Sequence, residues 1–231
     1  MNLLAVDTSA EGCSAAVLSQ GQIFSRFTLA PRGHTRLLMP MVRELLVESK
    51  IASSELNAVA FACGPGSFTG LRIATGVAQG LAYGLDVPVV PISSLAAVAA
   101  QMIESQQVPE GASIAVAFDA RMSEVYWGCF ENVAGLPALI GEERVCLPGD
   151  VSIPPGPTSW YGAGSGWILQ DQMPATVVGD MVQINPAMVP HAADVVRLAK
   201  QAWDEGRHVL AAAARPVYLR DEVTWKKLPG R

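Results

Sequence analysis

Charged residues are scarce in this sequence. Asp, Glu, Lys and Arg make up 16% of its 231 residues, against about 25% in an average soluble protein, whereas apolar residues reach 50%. Such a composition excludes an intrinsically disordered chain and a coiled coil, because both are rich in polar or charged residues. Together with a net charge of -5, it also disfavours a protein that coats nucleic acid.

The sequence also lacks a run that predicts a membrane span or a secretory signal. The mostly apolar uncharged stretch at residues 87–103 is interrupted by Pro88 and Pro91, whereas a spanning helix needs about 20 consecutive apolar residues. Only four apolar residues stand between Asn2 and Asp7, and no basic region precedes them. We therefore expect a cytoplasmic protein that does not contact a membrane.

Clusters of metal-ligating and nucleophilic residues are lacking as well. The four cysteines show no Cys-x-x-Cys spacing, so we expect reduced thiols and neither disulfides nor a metal site. His34, His191 and His208 include no pair three or four residues apart, the spacing that places two ligands on one helix face. We interpret His34, just before a helix, as a capping or packing residue. The sequence predicts no metal site and no local catalytic constellation.

The charges that are present are distributed unevenly. Between Glu55 and Glu104 only Arg72 and Asp86 are charged. Because such a segment has almost no means of facing water, we expect the rest of the protein or a second subunit to cover it. The tail, residues 215–231, is the opposite, with five basic and two acidic groups. Two interpretations of the tail remain, a solvated end and a contact with RNA or an acidic partner.

The order of predicted elements occurs twice, about 100 residues apart. Each half opens on an apolar strand that ends in Asp7 or Asp119, followed by two strands, a glycine loop, a helix, a strand and a helix. This order predicts mixed sheets with helices packed on them. We expect an α/β protein of two units, residues 1–105 and a smaller unit of residues 106–231. A proline-rich loop, residues 147–157, replaces one helix in the second unit, whose last helix can pack back on the first unit.

A glycine-rich block, residues 64–70, joins a strand to a helix, where free backbone N–H groups and the helix dipole suit a phosphate. Its spacing, Gly-x-Gly-x-x-x-Gly, matches neither the dinucleotide fingerprint nor the Walker loop, and Pro65 excludes a nucleophile elbow. Two interpretations remain, a structural turn with a helix cap and a contact with a ligand or partner. For the aspartates that end the first strands the alternative is an Asx turn. The candidate nucleotide or cleft contacts are Asp7, Gly64, Gly66, Ser67 and Asp119.

The helix after this block carries three glycines at intervals of four residues, Gly76, Gly80 and Gly84. Each interior glycine costs a helix about 1 kcal/mol relative to alanine, so we expect close approach of another backbone to compensate. Two interpretations remain. One is tight packing on the protein's own sheet, and the other is a subunit interface formed together with the preceding helix, residues 35–50.

Five sequence blocks resemble the bacterial TsaB (YeaZ) family. The longest, residues 64–72, reads Gly-Pro-Gly-Ser-Phe-Thr-Gly-Leu-Arg and is highly specific, and the blocks extend over nearly the whole chain. The others are residues 4–9, His34 with residues 37–40, residues 119–121 with 124–126, and residues 216–220. The resemblance implies a duplicated actin-like ATPase fold (ASKHA, RNase H-like), in agreement with the repeated element order.

The resemblance implies a non-catalytic scaffold or activator subunit and not an enzyme. The paralogue TsaD uses a His-x-x-x-His metal site in making N6-threonylcarbamoyladenosine in tRNAs that read codons beginning with A, and that histidine pair is absent here. TsaB-like chains pair with TsaD and help to recruit the ATPase TsaE. We therefore expect TsaD and TsaE as partners and tRNA only as an indirect partner. We expect no cofactor bound by this chain alone, and two alternatives remain for the interface with the partner, with and without bound ATP or ADP.

The family pairs through the first long helix and the helix after the glycine loop. Carried over by helical position, the predicted contacts are Leu37, Leu38, Met41, Leu45, Ala74, Val77, Ala78 and Leu81. In isolation the same face can form a homodimer. The alternative from another class is an enzyme, either a nucleotide-dependent phosphotransferase that uses Asp7 and the glycine loops or a glycoprotease-like peptidase.

Overall fold

The computed structural model describes residues 1–155 and 159–220, and in these ranges it holds two sheets and five α-helices. The elements of the first half are β1 (Leu3–Asp7), β2 (Gly12–Ser19), β3 (Gln22–Leu29), α1 (His34–Glu48), β4 (Ala58–Gly64), α2 (Phe68–Leu85), β5 (Val89–Ser93) and α3 (Ser94–Gln106). Those of the second half are β6 (Ser113–Arg121), β7 (Glu124–Val133), β8 (Leu136–Cys146), β9 (Trp160–Ala163), α4 (Ala175–Gly179), β10 (Met181–Asn185) and α5 (Ala192–Asp204).

The two sheets have the same strand order. The first runs β3-β2-β1-β4-β5 and the second runs β8-β7-β6-β9-β10. In each sheet the first three strands along the chain pair antiparallel, and the last two are parallel to the first. This repetition confirms the predicted fold class, a duplicated actin-like α/β fold with mixed sheets.

The second unit is reduced at the position that the sequence indicated. In the first unit α1, 15 residues long, connects β3 to β4. Between β8 and β9 the described residues hold a single 3-10 turn, Pro148–Asp150. The proline-rich composition of this stretch explains the difference, because proline removes a backbone donor and clashes with the preceding helical turn.

Helices cover both faces of the first sheet. α1 and α2 pack on one face, and α3 and α5 pack on the other. The N–H of Ala192, at the start of α5, donates a hydrogen bond to Ser14 Oγ in β2 at 2.9 Å, so the last helix lies against the first unit. α3 also packs on the second sheet. It is therefore shared by the two units.

The charge-poor segment, residues 56–103, lies mainly in the interior. Every residue of β4 is buried, as expected of a central parallel strand covered on both faces, and most of α3 is buried between the two sheets. In this segment α2 presents an uncharged face to solvent. Across residues 1–155 and 159–220, none of the helices has the length and apolar character of a bilayer span.

Candidate functional site

Helix α2 is fixed at both ends and packs one side on the first sheet. Ser67 is its N-cap, and its Oγ accepts a hydrogen bond from the N–H of Gly70 at 3.4 Å, which satisfies one free donor of the first turn. Asp86 ends the helix in the left-handed conformation, with φ of 55°. The side chains that α2 buries are Leu71, Ala74, Thr75, Ala78 and Ala82. Most of them are small, so the helix lies close to the sheet.

The three glycines of α2 face solvent. Gly76, Gly80 and Gly84 are exposed, and a Cβ built on any of them would find no atom of the described residues within 4 Å beyond its own helix turns and chain neighbours. This removes the first of the two interpretations, tight packing on the protein's own sheet. We call this side of α2 the glycine face and define it by Gly76, Gly80, Tyr83 and Gly84.

Apolar side chains complete the glycine face and border it. Tyr83 is 80% exposed. Val77 and Leu81 of α2, and Leu37 and Met41 of α1, are half-buried at the edge of the core cluster beneath the two helices. α2 carries no charged residue after Arg72, in its first two turns. An uncharged helix face of this kind is unfavourable in water and is typical of a surface that another protein covers.

The structure divides the eight predicted partner contacts into two groups of four. The buried four are Leu38, Leu45, Ala74 and Ala78. These are withdrawn from the predicted interface, because their side chains are enclosed between the helices and the first sheet and offer no surface to a partner. The half-buried four are Leu37, Met41, Val77 and Leu81, which retain exposed surface beside the glycine face.

The glycine-rich block packs against the turn that follows β1. A Cβ at Gly66 would overlap the carbonyl oxygen of Ser9, and one at Gly70 would overlap that of Thr8. The backbones are joined by a hydrogen bond from the N–H of Ser67 to the Ser9 oxygen and by one from Thr8 Oγ1 to the Gly70 oxygen, both 2.7 Å long. These glycines therefore provide the space for a close backbone approach, and Ser67 serves as a helix cap.

Asp7 is enclosed beside this contact. It is 0% exposed, and its Oδ1 accepts hydrogen bonds from the N–H and the hydroxyl of Ser9 at 2.9 and 2.6 Å, which is an Asx turn. Oδ2 is buried and has no hydrogen-bond partner among the residues that the structure describes. Burial raises the pKa of the carboxyl from 3.8 to about 6, although the hydrogen bonds from Ser9 lower it. Asp7 is withdrawn from the candidate cleft contacts because a ligand at the surface does not reach its carboxylate.

Gly64 and Asp119 lie on the two sides of the seam between the units. The C-terminal segment covers Gly64, because Val217 donates its N–H to the Cys63 oxygen at 2.7 Å and its own carbonyl lies against Gly64. Asp119 stays exposed, and its Oδ1 accepts a hydrogen bond from the N–H of Arg121 at 2.8 Å. That contact is again an Asx turn. The chain's own Val217 therefore covers Gly64, and the backbone N–H of Arg121 binds one carboxylate oxygen of Asp119.

The potential metal ligands are dispersed. Within the ranges 1–155 and 159–220, His, Cys, Asp and Glu form no group of three that could hold a metal ion. The Nε2 of His34 is buried and has no hydrogen-bond partner among the described residues, and the N-cap residue of α1 is Gly33. His191 caps α5 through Nδ1, which accepts from the N–H of Ala193 at 3.3 Å. The cysteines are free thiols, and burial raises the pKa of Cys63 to about 12, which keeps it protonated near neutral pH.

Sequence reasoning missed two features of this region. It did not separate the exposed glycine side of α2 from the buried alanine side, although the four-residue glycine spacing was visible. It also missed the contact of Arg72 with Tyr218, 146 residues away, for which the block at residues 216–220 was the one available signal. A cavity of about 500 Å³ lies in the second unit, and none of the predicted contact residues lines it.

Comparison with known proteins gives one consistent result. The sequence model of the family described as "TsaD: tRNA N6-adenosine threonylcarbamoyltransferase" matches residues 23–227. The "tRNA threonylcarbamoyladenosine biosynthesis protein TsaB" of Escherichia coli (strain K12) is 37% identical over 244 aligned residues, with 100% of both chains covered. The protein of the same name from Haemophilus influenzae is 37% identical, with 100% of this chain and 98% of its own covered. The solved structure "YeaZ from Pseudomonas aeruginosa" is 44% identical and superposes with a TM-score of 0.89 over 94% of this chain and 99% of that chain.

Proposed function

The chain belongs to the TsaB (YeaZ) family of tRNA threonylcarbamoyladenosine biosynthesis proteins, and we propose that it is a non-catalytic scaffold subunit in that biosynthesis. Its partner in this proposal is a TsaD-type threonylcarbamoyltransferase. The partner binds the glycine face of α2 and the adjoining half-buried side chains of α1. Since the TsaD family model also matches this chain, the two subunits share a fold.

The glycine face is the observation that carries the proposal. Three helix-interior glycines cost α2 about 3 kcal/mol relative to alanine. Apart from each glycine's own chain neighbours and helix backbone, no atom of the described residues lies within 4 Å of the positions that their Cβ atoms would take, so no close packing contact in these ranges accounts for the glycines. A second helix packed on this face would offset this cost, because the absence of side chains lets two helix backbones approach closely.

The shared fold suggests a geometry for the contact. A partner with the same duplicated fold carries its own pair of helices equivalent to α1 and α2, and the two pairs can pack about a pseudo-twofold axis. Two copies of this chain can use the same surface and form a homodimer when the partner is absent. Because both assemblies use one surface, added partner competes for it and dissociates the homodimer by mass action.

Replacing Gly80 by arginine tests the interface. Gly80 is surrounded by open space, so the folded chain accommodates the new side chain, whereas a closely packed partner helix does not. We expect Gly80→Arg to lose TsaD binding and to stop N6-threonylcarbamoyladenosine formation in a reconstituted system, with an unchanged unfolding transition. Gly179→Arg is the matched control, because Gly179 is an exposed helical glycine in open space on α4. Undiminished binding by Gly80→Arg would remove the glycine face from the interface.

The burial of Asp7 supports the non-catalytic part of the proposal. A phosphotransferase needs this carboxylate at an open cleft, and no observation on the described residues favours a peptidase. Calorimetry with ATP and Mg²⁺ on the isolated chain tests this part. We expect no binding heat, whereas micromolar binding followed by turnover that Asp7→Ala abolishes would favour an enzyme. The same titration on the complex with TsaD tests whether ATP or ADP binds at the partner seam.

The remaining partners follow from the family. In this proposal the TsaD complex recruits TsaE, contacts tRNA mainly through its other subunits, and works in the cytoplasm where tRNA is modified. Most of the basic tail, residues 221–231, lies outside the described residues. Deleting it tests a direct tRNA contact: we expect the complex to keep its tRNA affinity, and a loss of affinity would assign the tail to tRNA binding.

A further inference from the structure

The last described residues of the chain cross the seam between the two units. Val217 donates its backbone N–H to the carbonyl oxygen of Cys63, near the end of β4, and its own carbonyl lies against Gly64. Three residues later, Arg220 reaches the hairpin that joins β6 to β7. One short segment therefore contacts both units.

On the side of the first unit, the start of α2 holds Tyr218. The Oη of Tyr218 accepts a hydrogen bond from Arg72 Nε at 3.2 Å, and its ring centroid lies 5.5 Å from that of Phe68. The guanidinium of Arg72 lies 3.8 Å from the centroid of the Phe68 ring, which is a favourable cation–π distance. Arg72 lies one helical turn before Gly76, so this cluster adjoins the glycine face.

On the side of the second unit, Arg220 makes three contacts with one hairpin. Its guanidinium pairs with the carboxylate of Glu124, donates to the carbonyl oxygen of Ala120 at 3.3 Å and donates to Met122 Sδ at 3.1 Å. The side chain of Arg220 is 20% exposed, so salt screens this ion pair less than a fully exposed one. The planar guanidinium fork suits such simultaneous contacts.

The tip of this hairpin has a backbone conformation that its residues disfavour. Arg121, Met122 and Ser123 have φ values of 65°, 56° and 60°. The left-handed region is unfavourable for L residues with a side chain, and two-residue hairpin turns with two positive φ values strongly prefer Asn-Gly. A strained tip of this kind persists when surrounding contacts hold it. Arg220 contacts Ala120, one residue before the tip, Met122 within the tip, and Glu124, one residue after it.

The segment at residues 216–220 is itself held weakly. It lies outside helices and strands, and Val217 and Tyr218 are 42% and 41% exposed. Among the described residues, one backbone hydrogen bond ties it to the rest of the chain, from Val217 to Cys63. Segments with so few backbone hydrogen bonds and with exposed side chains open locally at low free-energy cost. The folded chain can therefore release this segment without unfolding its core.

We propose that residues 216–220 form a latch between the start of α2 and the β6–β7 hairpin. In the closed state Arg220 holds the hairpin tip in its left-handed conformation. In the open state the strained tip relaxes to another turn and the seam beside Gly64 is uncovered. Arg72 connects the latch to the end of the glycine face, so a partner bound there shifts the balance between the two states. This last step rests on the proposed function, whereas the latch itself does not.

Hydrogen exchange of the full chain, read by mass spectrometry, tests the latch. We expect Arg220→Ala and Glu124→Gln each to make the amides of residues 119–126 exchange about tenfold faster, because each removes a charged hydrogen bond. The amides of β1 are expected to stay protected. Lys200→Ala is the matched control, because it removes an exposed ion pair with Asp204 on α5. Unchanged exchange at residues 119–126 in both latch variants would overturn the proposal.

Variants on the far side of the seam test whether the latch transmits a change. Arg72→Ala and Tyr218→Phe both remove the hydrogen bond that anchors Tyr218, and the contacts of these two side chains lie on α2. In both variants we expect the amides of residues 119–126 to exchange faster, with a smaller increase in rate than in Arg220→Ala. Faster exchange confined to the start of α2 would contradict the coupling. These readouts use the chain without TsaD, so they stand apart from the test of partner binding.

Discussion

Gly70 of α2 lies directly against the carbonyl oxygen of Thr8, just after β1. A Cβ at position 70 would overlap that oxygen, and the hydroxyl of Thr8 donates a hydrogen bond to the Gly70 carbonyl at 2.7 Å. The glycine-rich block that suggested a phosphate loop therefore joins the first turn of α2 to the first strand. This contact fixes the helix on the sheet and thereby positions its exposed glycine face.

Gly70→Ala is expected to destabilise the fold strongly. The added methyl group meets backbone, which cannot move aside as a flexible side chain can, so we expect a loss of about 3 kcal/mol in the free energy of unfolding. Urea denaturation measures this loss. Gly76→Ala is the control in the same helix, because its Cβ enters open space. Equal effects of the two substitutions would contradict the packing role of Gly70.

Gly80→Ala is expected to change stability and association in opposite directions. Alanine is a better helix former than glycine by about 1 kcal/mol, and outside its own helix no atom of the described residues lies close enough to clash with the added methyl group, so the monomer becomes more stable. The same methyl group holds a partner helix away and weakens association. Thermal unfolding at low protein concentration and sedimentation at high concentration measure the two effects. A stabilised variant that still associates as tightly as the parent would argue against a role for these glycines in contact.

Stability is expected to fall as pH rises from about 4 to about 6. The carboxyl of Asp7 has a pKa of about 6 in the folded chain against 3.8 for the free group, because burial disfavours its charged form. The folded state therefore binds more protons than the unfolded state in this window. The stability that this carboxyl contributes is fully present below the lower pKa and is lost as the pH rises through the higher one. A difference of about two pKa units corresponds to about 3 kcal/mol. Burial also raises the pKa of Asp194 to about 6, which adds an effect of the same sign.

Asp7→Asn separates the contribution of Asp7. Asparagine keeps an oxygen that accepts from the N–H and hydroxyl of Ser9 and removes the titration. We therefore expect a flatter dependence of the free energy of unfolding on pH between about 4 and 6, measured by urea denaturation across the range. Asp204→Asn is the control, because Asp204 lies on the exposed side of α5. If the free energy of unfolding depends on pH as steeply in Asp7→Asn as in the parent, Asp7 is not the cause of that dependence.

The element boundaries were predictable because local signals define them. Ser67 accepts a hydrogen bond from a backbone N–H group as the N-cap of α2, which is one of the two roles that the sequence left open for its block, and Ser93 caps α3 in the same way. Gln20 and Gly21, with φ of 51° and 79°, form the hairpin turn between β2 and β3, the kind of two-residue turn in which both φ values are positive. The repeated order of strands and helices followed from the same local patterns.

The buried side of α2 was not predictable in the same way. Its alanines and its glycines repeat at intervals of four, on different sides of the helix, and both residues are small and uncharged. Hydrophobic periodicity therefore distinguishes the two sides poorly, which is why Ala74 and Ala78 were assigned to the interface and not to the core. The pair of Arg220 and Glu124, 96 residues apart, has no local pattern at all, because it depends on how the two units meet.

The association state of the chain, alone and mixed with TsaD, tests the central claim most directly. Light scattering gives the mass of each assembly relative to the 24.4 kDa chain. We expect the chain alone to form a homodimer that added TsaD replaces with a complex of one copy of each subunit, and we expect Gly80→Arg to remain a monomer in both samples. A complex that holds the intact homodimer together with TsaD, or a Gly80→Arg variant that still forms both assemblies, would contradict the account.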